Sequence, residues 1–420
     1  MGPTACHKWT SRAKTMCHGP AHLFRGDCAS CPLASDGEQD MKTPFEIGPI
    51  RPPSEAASLL VRVTRNCPWN RCAFCPVYRH ARFSIRGVED VKQDIREMAA
   101  IARMIQDLSV SLGFDGQVTW EVRKALAARK DLVPGTAQIT SFLAHGGKHV
   151  FLQDANSVVM PTEDLLEVLA YLHDEFPTIE RITSYARAHT LVRKKPEDLE
   201  QIRAAGLNRL HVGLESGSDR VLSLVSKGVT AAVHIEAGLR AKQAGMELSE
   251  YVMPGLGGRS LWRDHATETA RVLNAINPDF IRLRTTALAP DTVLEDMASL
   301  GQWEPMDDEQ VAEELRLLIE HLEVTSVMSS DHVLNLLAEL EGKLPEDKPR
   351  LLAIIDRFRA MAPNLRRAFI LARRGGMVAN LDEMQDEAAR ESALHLLESV
   401  EDHYGGDLPA AVRDLMSRFV

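Results

Sequence analysis

Three cysteines lie close together in the chain, at Cys67, Cys72 and Cys75. Three thiolates on one short loop can bind three irons of a cubane iron–sulfur cluster, which leaves the fourth iron open to a small molecule. The same thiolates could instead hold a structural zinc ion, with a nearby histidine such as His80 as the fourth ligand. The cysteine spacing alone leaves both kinds of metal site open.

The elements that carry this loop are predicted from the alternation of strand-like and helix-like runs after about residue 58. That pattern indicates parallel strands joined by crossover helices. Six such units predict an α/β fold, a partial TIM-like barrel open on one side. The cysteine loop follows the first strand, at the carboxyl end where barrel active sites lie. The predicted strands are 58–64, 149–154, 181–186, 209–214, 246–253 and 279–286.

Most of the remaining sequence is predicted to be helical. The long connection between the first two strands predicts helices at 88–106, 119–129 and 135–144. After about residue 300, apolar residues at helical spacing over 311–322 and 333–340 predict amphipathic helices. The sequence therefore predicts a partial barrel over 41–300 and a helical C-terminal cap over 301–420, and we expect the cap to close the barrel and select the substrate.

Residues 1–40 differ from the rest of the chain in their content of cysteine and histidine. Cys28 and Cys31 have the spacing of zinc ligands. The little periodicity of this region favours a flexible extension, or a true start at Met41, over a second metal site. The cysteines and histidines of the region are Cys6, Cys17, Cys28, Cys31, His7, His18 and His22.

The composition indicates a large globular protein. Of the 420 residues, 45% are apolar and 26% are charged. The net charge of −10 argues against bulk binding of nucleic acid. No apolar stretch approaches the roughly 20 residues of a membrane span, and the N-terminus has no signal-peptide pattern. Clustered cysteines favour metal binding in a reducing cytoplasm over disulfides.

Alternation along the predicted strands separates apolar from polar side chains. In the fourth strand, Leu210, Val212 and Leu214 share one face, whereas His211 and Glu215 share the other. The outer face of a barrel packs against helices, so we expect the apolar set outside and the polar set inside. Because buried polar groups need partners, this predicts a wet, ligand-binding interior. The reverse assignment of the two faces is the alternative.

The residues around the cysteines resemble the radical S-adenosylmethionine superfamily, over roughly residues 55–300. Phe74, just before the third cysteine, matches an aromatic residue that this family places beside the adenine. Residues 213–219 (GLESGSD) and 227–230 (KGVT) resemble the branch that includes methylthiotransferases and coproporphyrinogen-oxidase-like proteins. Residues 151–156 (FLQDAN) end the second strand where the family keeps polar groups for the methionine amino group.

The resemblance implies an enzyme that uses a [4Fe–4S] cluster and S-adenosylmethionine. It would cleave that cofactor reductively to a 5′-deoxyadenosyl radical, which abstracts hydrogen from an unidentified small molecule. A reducing donor such as flavodoxin or ferredoxin is the implied partner, whereas nucleic acid and membrane are not expected. The implied ligands are Cys67, Cys72 and Cys75 for the cluster, Phe74 for the adenine, Asp154 or Asn156 for the amino group, Arg187 for the carboxylate, and Glu215 and Ser216 for the ribose or amino group.

Four further side chains are candidates for work on the substrate. Arg282 and Arg284 lie two residues apart on one strand, so both side chains are expected on one face. If that face is the inner one, they could clamp an acidic or phosphorylated substrate. His211 and Tyr251 are candidate proton or radical partners.

Two features depart from the pattern of the family. Four residues separate the first two cysteines where three are usual, and the glycine-rich turn at 253–259 reads MPGLGGR where relatives usually have GLPGET. These departures leave the branch open. A methylthiotransferase or a coproporphyrinogen-III-oxidase-like enzyme is one alternative, and a zinc-stabilised, non-enzymatic binding module is another.

Overall fold

A computed structural model describes residues 43–129, 131–405 and 407–417. The predicted extension at 1–40, with its four cysteines, lies outside these ranges. The strands are β1 Leu59–Val61, β2 Thr64–Arg65, β3 Ser84–Ile85, β4 His149–Leu152, β5 Arg181–Ala186, β6 Leu207–Glu215, β7 Glu247–Val252, β8 Phe280–Leu283, β9 Val327–Ser329 and β10 Gly342–Lys343.

Helices fill the connections between the strands and most of the C-terminal region. They are α1 Val88–Ser111, α2 Trp120–Ala127, α3 Thr136–Ala144, α4 Thr162–Glu175, α5 Ala188–Leu191, α6 Pro196–Ala204, α7 Asp219–Leu224, α8 Ala231–Gln243, α9 Gly258–Ile276, α10 Val293–Ser299, α11 Asp308–His321, α12 Lys348–Ala360, α13 Pro363–Arg374, α14 Glu387–Tyr404 and α15 Leu408–Ser417. Within the described ranges, none of them is long and apolar enough to cross a membrane.

The main sheet has eight strands in the order β1-β4-β5-β6-β7-β8-β9-β10. Every neighbouring pair from β1 to β9 is parallel, and β10 is antiparallel to β9. The sheet runs from β1 at one edge to β10 at the other, so the prediction of an open, TIM-like α/β barrel is confirmed. The predicted first strand divides, since β2 leaves the sheet to pair with β3.

The C-terminal region also contributes strands, because β9 and β10 complete the sheet beyond β8. The predicted helix at 311–322 is present as α11, but the predicted helix at 333–340 is wrong, because this segment is irregular. The side chain of Asn335 explains the difference. Its Oδ1 accepts the backbone N–H of Thr285 at 2.9 Å, and its Nδ2 donates to the carbonyl of Leu283 at 2.8 Å. These bonds extend β8 and tie the segment to it in place of a helix.

Local signals define where several helices begin and end. The Thr230 side chain accepts the backbone N–H of Val233 at 3.4 Å and caps α8. Asp307 and Gln310 form a capping box at the start of α11. Gly206 follows α6 with φ +106°, a backbone conformation that favours glycine.

The outer face of the sheet packs against the helices, as predicted. Leu210, Val212 and Leu214 are at most 1% exposed and belong to the main hydrophobic core. Each such leucine or valine contributes roughly 1.5–3 kcal/mol through burial. This burial holds the outer face of the sheet against its crossover helices.

The interior of the barrel is filled by aromatic rings. Phe151 and Tyr185 lie 5.2 Å apart between ring centroids, and His211 lies 5.7 Å from both Tyr185 and Tyr251. Polar residue types do face inward, as predicted, and because Tyr185 and Tyr251 are partly exposed the wet interior stays a prediction. The rings form an aromatic plug, defined here as Phe151, Tyr185, His211 and Tyr251, because they contact one another across the strands. Space for a ligand therefore lies beyond the plug, towards the carboxyl ends of the strands.

We predict that Gly217→Ala destabilises the protein. A Cβ atom at Gly217 would lie 2.3 Å from the backbone carbonyl oxygen of Glu268 in α9, which cannot swing aside. Overpacking of this kind costs about 1–3 kcal/mol of unfolding free energy, measurable by denaturant titration.

Gly87→Ala is the matched control, since the nearest atom to a Cβ there is a carboxylate oxygen of the Asp90 side chain at 3.3 Å. Its loss of stability should be well below that of Gly217→Ala. Equal losses in the two variants would contradict the close approach of α9.

Candidate functional site

The cysteine loop leaves β2 in a tight turn. Asn66 and Asn70 have φ values of +67° and +46°. Asparagine tolerates this left-handed backbone better than most residues. The Nδ2 of Asn66 donates to the carbonyl of Arg82 at 2.6 Å, and the Nδ2 of Asn70 donates to that of Ala81 at 3.2 Å. These amides hold the start of the loop against the segment that returns to β3.

Trp69 anchors the four residues between the first two cysteines. Its Nε1–H donates to the carbonyl of Ser226 at 2.7 Å. A Cβ at Gly228 would lie 2.2 Å from the Trp69 ring, so only glycine allows this contact. The guanidinium groups of Arg71 and Arg187 lie 5.2 and 5.3 Å from the ring centroid. The segment between the first two cysteines, which is one residue longer than usual, is thus fixed to the turn that follows α7.

The backbone between the second and third cysteines is held from two sides. Ala73 donates its N–H to the carbonyl of Val225 at 2.8 Å and accepts the N–H of Leu294 at 2.9 Å. The Ala73 side chain is buried in a small apolar cluster that also contains Leu256 and Trp303. Three separate parts of the chain therefore position this loop.

The three cysteines carry free thiols. Burial raises the pKa of the Cys72 thiol to about 11 and also raises that of Cys75. The nearby cations Lys227 and Arg187 act in the opposite direction on Cys72, because a positive charge favours the thiolate. Neighbouring thiols raise the pKa values further, so the loop gathers negative charge when its thiols ionise.

Thiolates are the usual protein ligands of iron–sulfur clusters, so the donor set fits such a group. In the described part of the chain, no three His, Cys, Asp or Glu side chains converge closely enough to hold a single metal ion. A cubane does not require such convergence, because each thiolate binds a different iron. Cys67, Cys72 and Cys75 are the residues that would hold it.

Lys227 and Glu215 form an ion pair beside the cysteine loop. The Lys227 Nζ lies 2.8 Å from Oε1 of Glu215 and 5.9 Å from the ring centroid of Phe74. Burial lowers the pKa of Lys227, but the Glu215 carboxylate and the Cys72 thiolate outweigh this, so its pKa is raised overall. Glu215 ends β6 at a shift of strand register and has φ +60°, which turns its side chain towards Lys227.

The predicted polar residues after β4 are buried and already hydrogen-bonded. Asp154 accepts from Nε of Arg62 at 2.6 Å and from the Tyr78 hydroxyl at 3.1 Å. The Asn156 side chain accepts the backbone N–H of Arg187 at 3.1 Å and donates to Oγ1 of Thr190 at 2.8 Å. Asp154 therefore ties β4 to the segment after the third cysteine, and Asn156 fixes the backbone that carries Arg187.

Arg187 lies next to the cysteine loop. Its Nη2 donates to the carbonyl of Lys227 at 3.1 Å, and its charge acts on both Cys67 and Cys72. The structure thus brings Phe74, Arg187 and Glu215 together around the loop.

Ser216 is fully buried and contacts His265 of α9, a residue that the sequence analysis missed. The Nδ1 of His265 lies 2.8 Å from Oγ of Ser216, and its Nε2 lies 3.1 Å from the carbonyl oxygen of Met253. A carbonyl only accepts, so Nε2 carries the proton and Nδ1 accepts from the serine hydroxyl. His265 therefore connects the loop after β6 to the glycine-rich turn after β7. The sequence signal that could have identified His265 is its position among the buried residues on one face of the amphipathic helix α9.

Glu314 of α11 completes this buried network. Its Oε1 accepts the N–H of Gly255 at 2.8 Å and lies 3.6 Å from Nε2 of His265. Burial raises the pKa of Glu314 to about 8 and lowers that of His265 to about 4. At pH 7 both groups are therefore mainly uncharged.

The four candidates for work on the substrate lie in different surroundings. His211 is fully buried, neither of its ring nitrogens has a hydrogen-bond partner among the described residues, and burial holds its pKa well below the usual value. Tyr251 belongs to the same aromatic plug. Arg282 pairs with Asp331 at 2.8 Å, whereas Arg284 is exposed at the carboxyl end of β8. The two arginines of the predicted clamp therefore differ. Arg282 is held in an ion pair with Asp331, whereas the Arg284 side chain is exposed to solvent.

We predict that Glu314→Gln changes the pH dependence of stability. The folded protein holds the Glu314 proton up to about pH 8, whereas an unperturbed glutamate has a pKa of 4.5. The stabilisation from protonated Glu314 is therefore complete below about pH 4.5 and is lost as the pH rises towards about 8. Glutamine keeps the acceptor for Gly255 but does not titrate, so the variant should gain stability relative to the parent across this range.

Denaturant titrations at several pH values measure this difference. Parallel pH profiles for the parent and the variant would contradict the burial of Glu314 beside His265.

Part of the chain is similar to curated proteins. The tRNA uridine(34) acetyltransferase of Methanocaldococcus infernus is 25% identical over 118 residues, which are 28% of this chain and 22% of that protein. The chain thus spans about a fifth of the length of this relative.

Two solved structures are similar at lower identity. Methanocaldococcus infernus Elp3 with an N-terminal deletion has a TM-score of 0.39 at 15% identity, over 54% of this chain and 58% of that one. Coproporphyrinogen III oxidase from Escherichia coli has a TM-score of 0.33 at 14% identity, over 84% and 81%.

The family model of the radical SAM superfamily matches residues 61–270, which are half of the chain. The matched region begins at β1 and ends within α9, so it contains the cysteine loop, the Lys227–Glu215 pair and His265. This protein belongs to the radical SAM superfamily.

Proposed function

We propose that the protein cleaves S-adenosylmethionine reductively at a [4Fe–4S] cluster bound by Cys67, Cys72 and Cys75, and that the radical so formed acts on a small molecule. The main support is the cysteine loop, which carries three free thiols and is anchored from three parts of the chain. An anchored loop presents its thiolates in one geometry, as a ligand set must.

When bound, the cluster supplies the electron that cleaves the sulfonium of the cofactor to methionine and a 5′-deoxyadenosyl radical. The side chains of the protein bind and orient S-adenosylmethionine in this proposal. The Arg187 guanidinium pairs with the methionine carboxylate, and the Phe74 ring packs beside the adenine. Glu215, held by Lys227, accepts from the ribose hydroxyls or the amino group. Asp154 and Asn156 lie beside this space, and their hydrogen bonds to Tyr78 and Arg187 position its walls.

Ser216 acts on the cofactor indirectly in this proposal. It is 0% exposed, and its hydroxyl is directed at His265. We assign it to positioning Glu215 and the glycine-rich turn relative to each other.

The substrate site lies between the cysteine loop and the aromatic plug. The rings of the plug contact one another across the strands, and we place the entry of the substrate at the carboxyl ends of the strands. Arg284, exposed at that end of β8, favours a substrate with an acidic group. An electron donor such as flavodoxin or ferredoxin, in a reducing compartment such as the cytoplasm, completes the proposal.

Anaerobic reconstitution tests the proposed chemistry. Protein loaded with iron and sulfide, reduced with dithionite and given S-adenosylmethionine should form 5′-deoxyadenosine, quantified by mass spectrometry. The triple variant Cys67→Ala, Cys72→Ala, Cys75→Ala should form none, because it lacks the iron ligands.

Iron content serves as the second readout of that experiment. About four irons per chain are expected in the parent. A protein that takes up zinc instead of iron and forms no 5′-deoxyadenosine would overturn the proposal.

Arg187→Gln tests the assignment of the carboxylate site. Loss of one charge-assisted hydrogen-bond partner should weaken binding of S-adenosylmethionine by about tenfold to a hundredfold, measured by equilibrium dialysis of the reconstituted protein. Arg284→Gln removes an equal charge at the substrate side and is the matched control. Iron content should be unchanged in both variants, and equal loss of affinity in the two would contradict the assignment.

A further inference from the structure

A cavity of about 380 Å³ lies between the barrel and the C-terminal helices. It is bounded by the segment after β8, the segment before α11, and helices α13 and α15. Of its lining residues, only Gly255 and Arg259 fall within the region that matches the superfamily. The cavity is therefore built mainly from residues outside the matched region.

The lining of the cavity is largely apolar, and its volume falls within the ~300–1,000 Å³ range of ligand pockets. Its lining residues come from five separate parts of the chain, so the folded structure is needed to form it. The main apolar lining residues are Leu288, Trp303, Met306, Ile370, Val412 and Met416.

The charged groups of the cavity leave a positive charge at its rim. Arg413 of α15 is exposed and has no ion pair among the described residues. Each carboxylate that lines the cavity already contacts an arginine. These pairs are Asp307 with Arg259, Asp308 with Arg374, and Glu309 with Arg366.

One wall of the cavity is shared with the cysteine loop. Leu288 and Trp303 line the cavity and also pack in the small apolar cluster around Ala73 and Phe74. The Nε1–H of Trp303 donates to the carbonyl of Leu256 at 3.0 Å, which fixes this wall. The cavity thus adjoins the apolar cluster that packs under the cysteine loop.

We propose that this cavity binds a small carboxylic acid with an apolar body, the body between Trp303 and Val412 and the carboxylate towards Arg413. Apolar walls gain from burying a hydrocarbon chain, and an exposed guanidinium suits a carboxylate. A cationic ligand is disfavoured, because each carboxylate that lines the cavity already pairs with an arginine. None of the residues assigned above to the S-adenosylmethionine site lines this cavity.

Equilibrium dialysis of the reconstituted full chain with radiolabelled decanoate, in the absence of S-adenosylmethionine, tests the proposal. We expect saturable binding of about one decanoate per chain, and much weaker binding of decylamine, which has the same chain and the opposite charge. Arg413→Gln should weaken decanoate binding at least about tenfold. Arg390→Gln, on α14 and outside the cavity lining, should leave it unchanged.

Val412→Trp should also abolish binding, because the larger ring fills the cavity, and a thermal melt shows whether this variant folds. Because Arg413 is exposed, we expect Arg413→Gln to fold, and this variant still tests the proposal if Val412→Trp does not fold. Absence of saturable binding, equal binding of decanoate and decylamine, or decanoate affinity unaltered by Arg413→Gln would overturn the proposal. None of these outcomes depends on cleavage of S-adenosylmethionine.

Discussion

The structure depends on one constraint: three thiols on a short loop must be held in place while their sulfur atoms stay available as ligands. The loop meets this constraint through its other residues. Asn66 and Asn70 fix its entry, Trp69 is anchored at the turn after α7, and both backbone groups of Ala73 are hydrogen-bonded. Because the intervening residues provide the contacts, the four-residue spacing between the first two cysteines is compatible with a rigid loop.

Buried polar groups extend this rigidity to the carboxyl ends of the strands. Lys227 links the cysteine loop to β6 through Glu215, and His265 links the end of β6 to the turn after β7. Glu314 then joins that turn to α11, outside the region that the family shares. An uncompensated polar group in any of these places would cost about 1–3 kcal/mol, so the chain of contacts stabilises one arrangement of the site.

The barrel was predictable from the sequence because its strands alternate with helices and its apolar residues recur every second position. The six predicted parallel strands form, and Leu210, Val212 and Leu214 face the helices as expected. The remaining features arise from contacts between distant residues. The packing of four aromatic rings, the bonds of Asn335 to β8 and the contact of His265 with Ser216 join positions 26 or more residues apart, which no local pattern encodes.

In the proposed function, the cysteine loop binds a cluster with one iron open to S-adenosylmethionine. Electron–nuclear double resonance of the reduced, reconstituted protein with S-adenosylmethionine labelled with ¹⁵N at its amino group tests it most directly. We expect a [4Fe–4S] signal whose g values change when the cofactor is added, with a coupling to the labelled nitrogen. A cluster signal that the cofactor leaves unchanged, without nitrogen coupling, would contradict it.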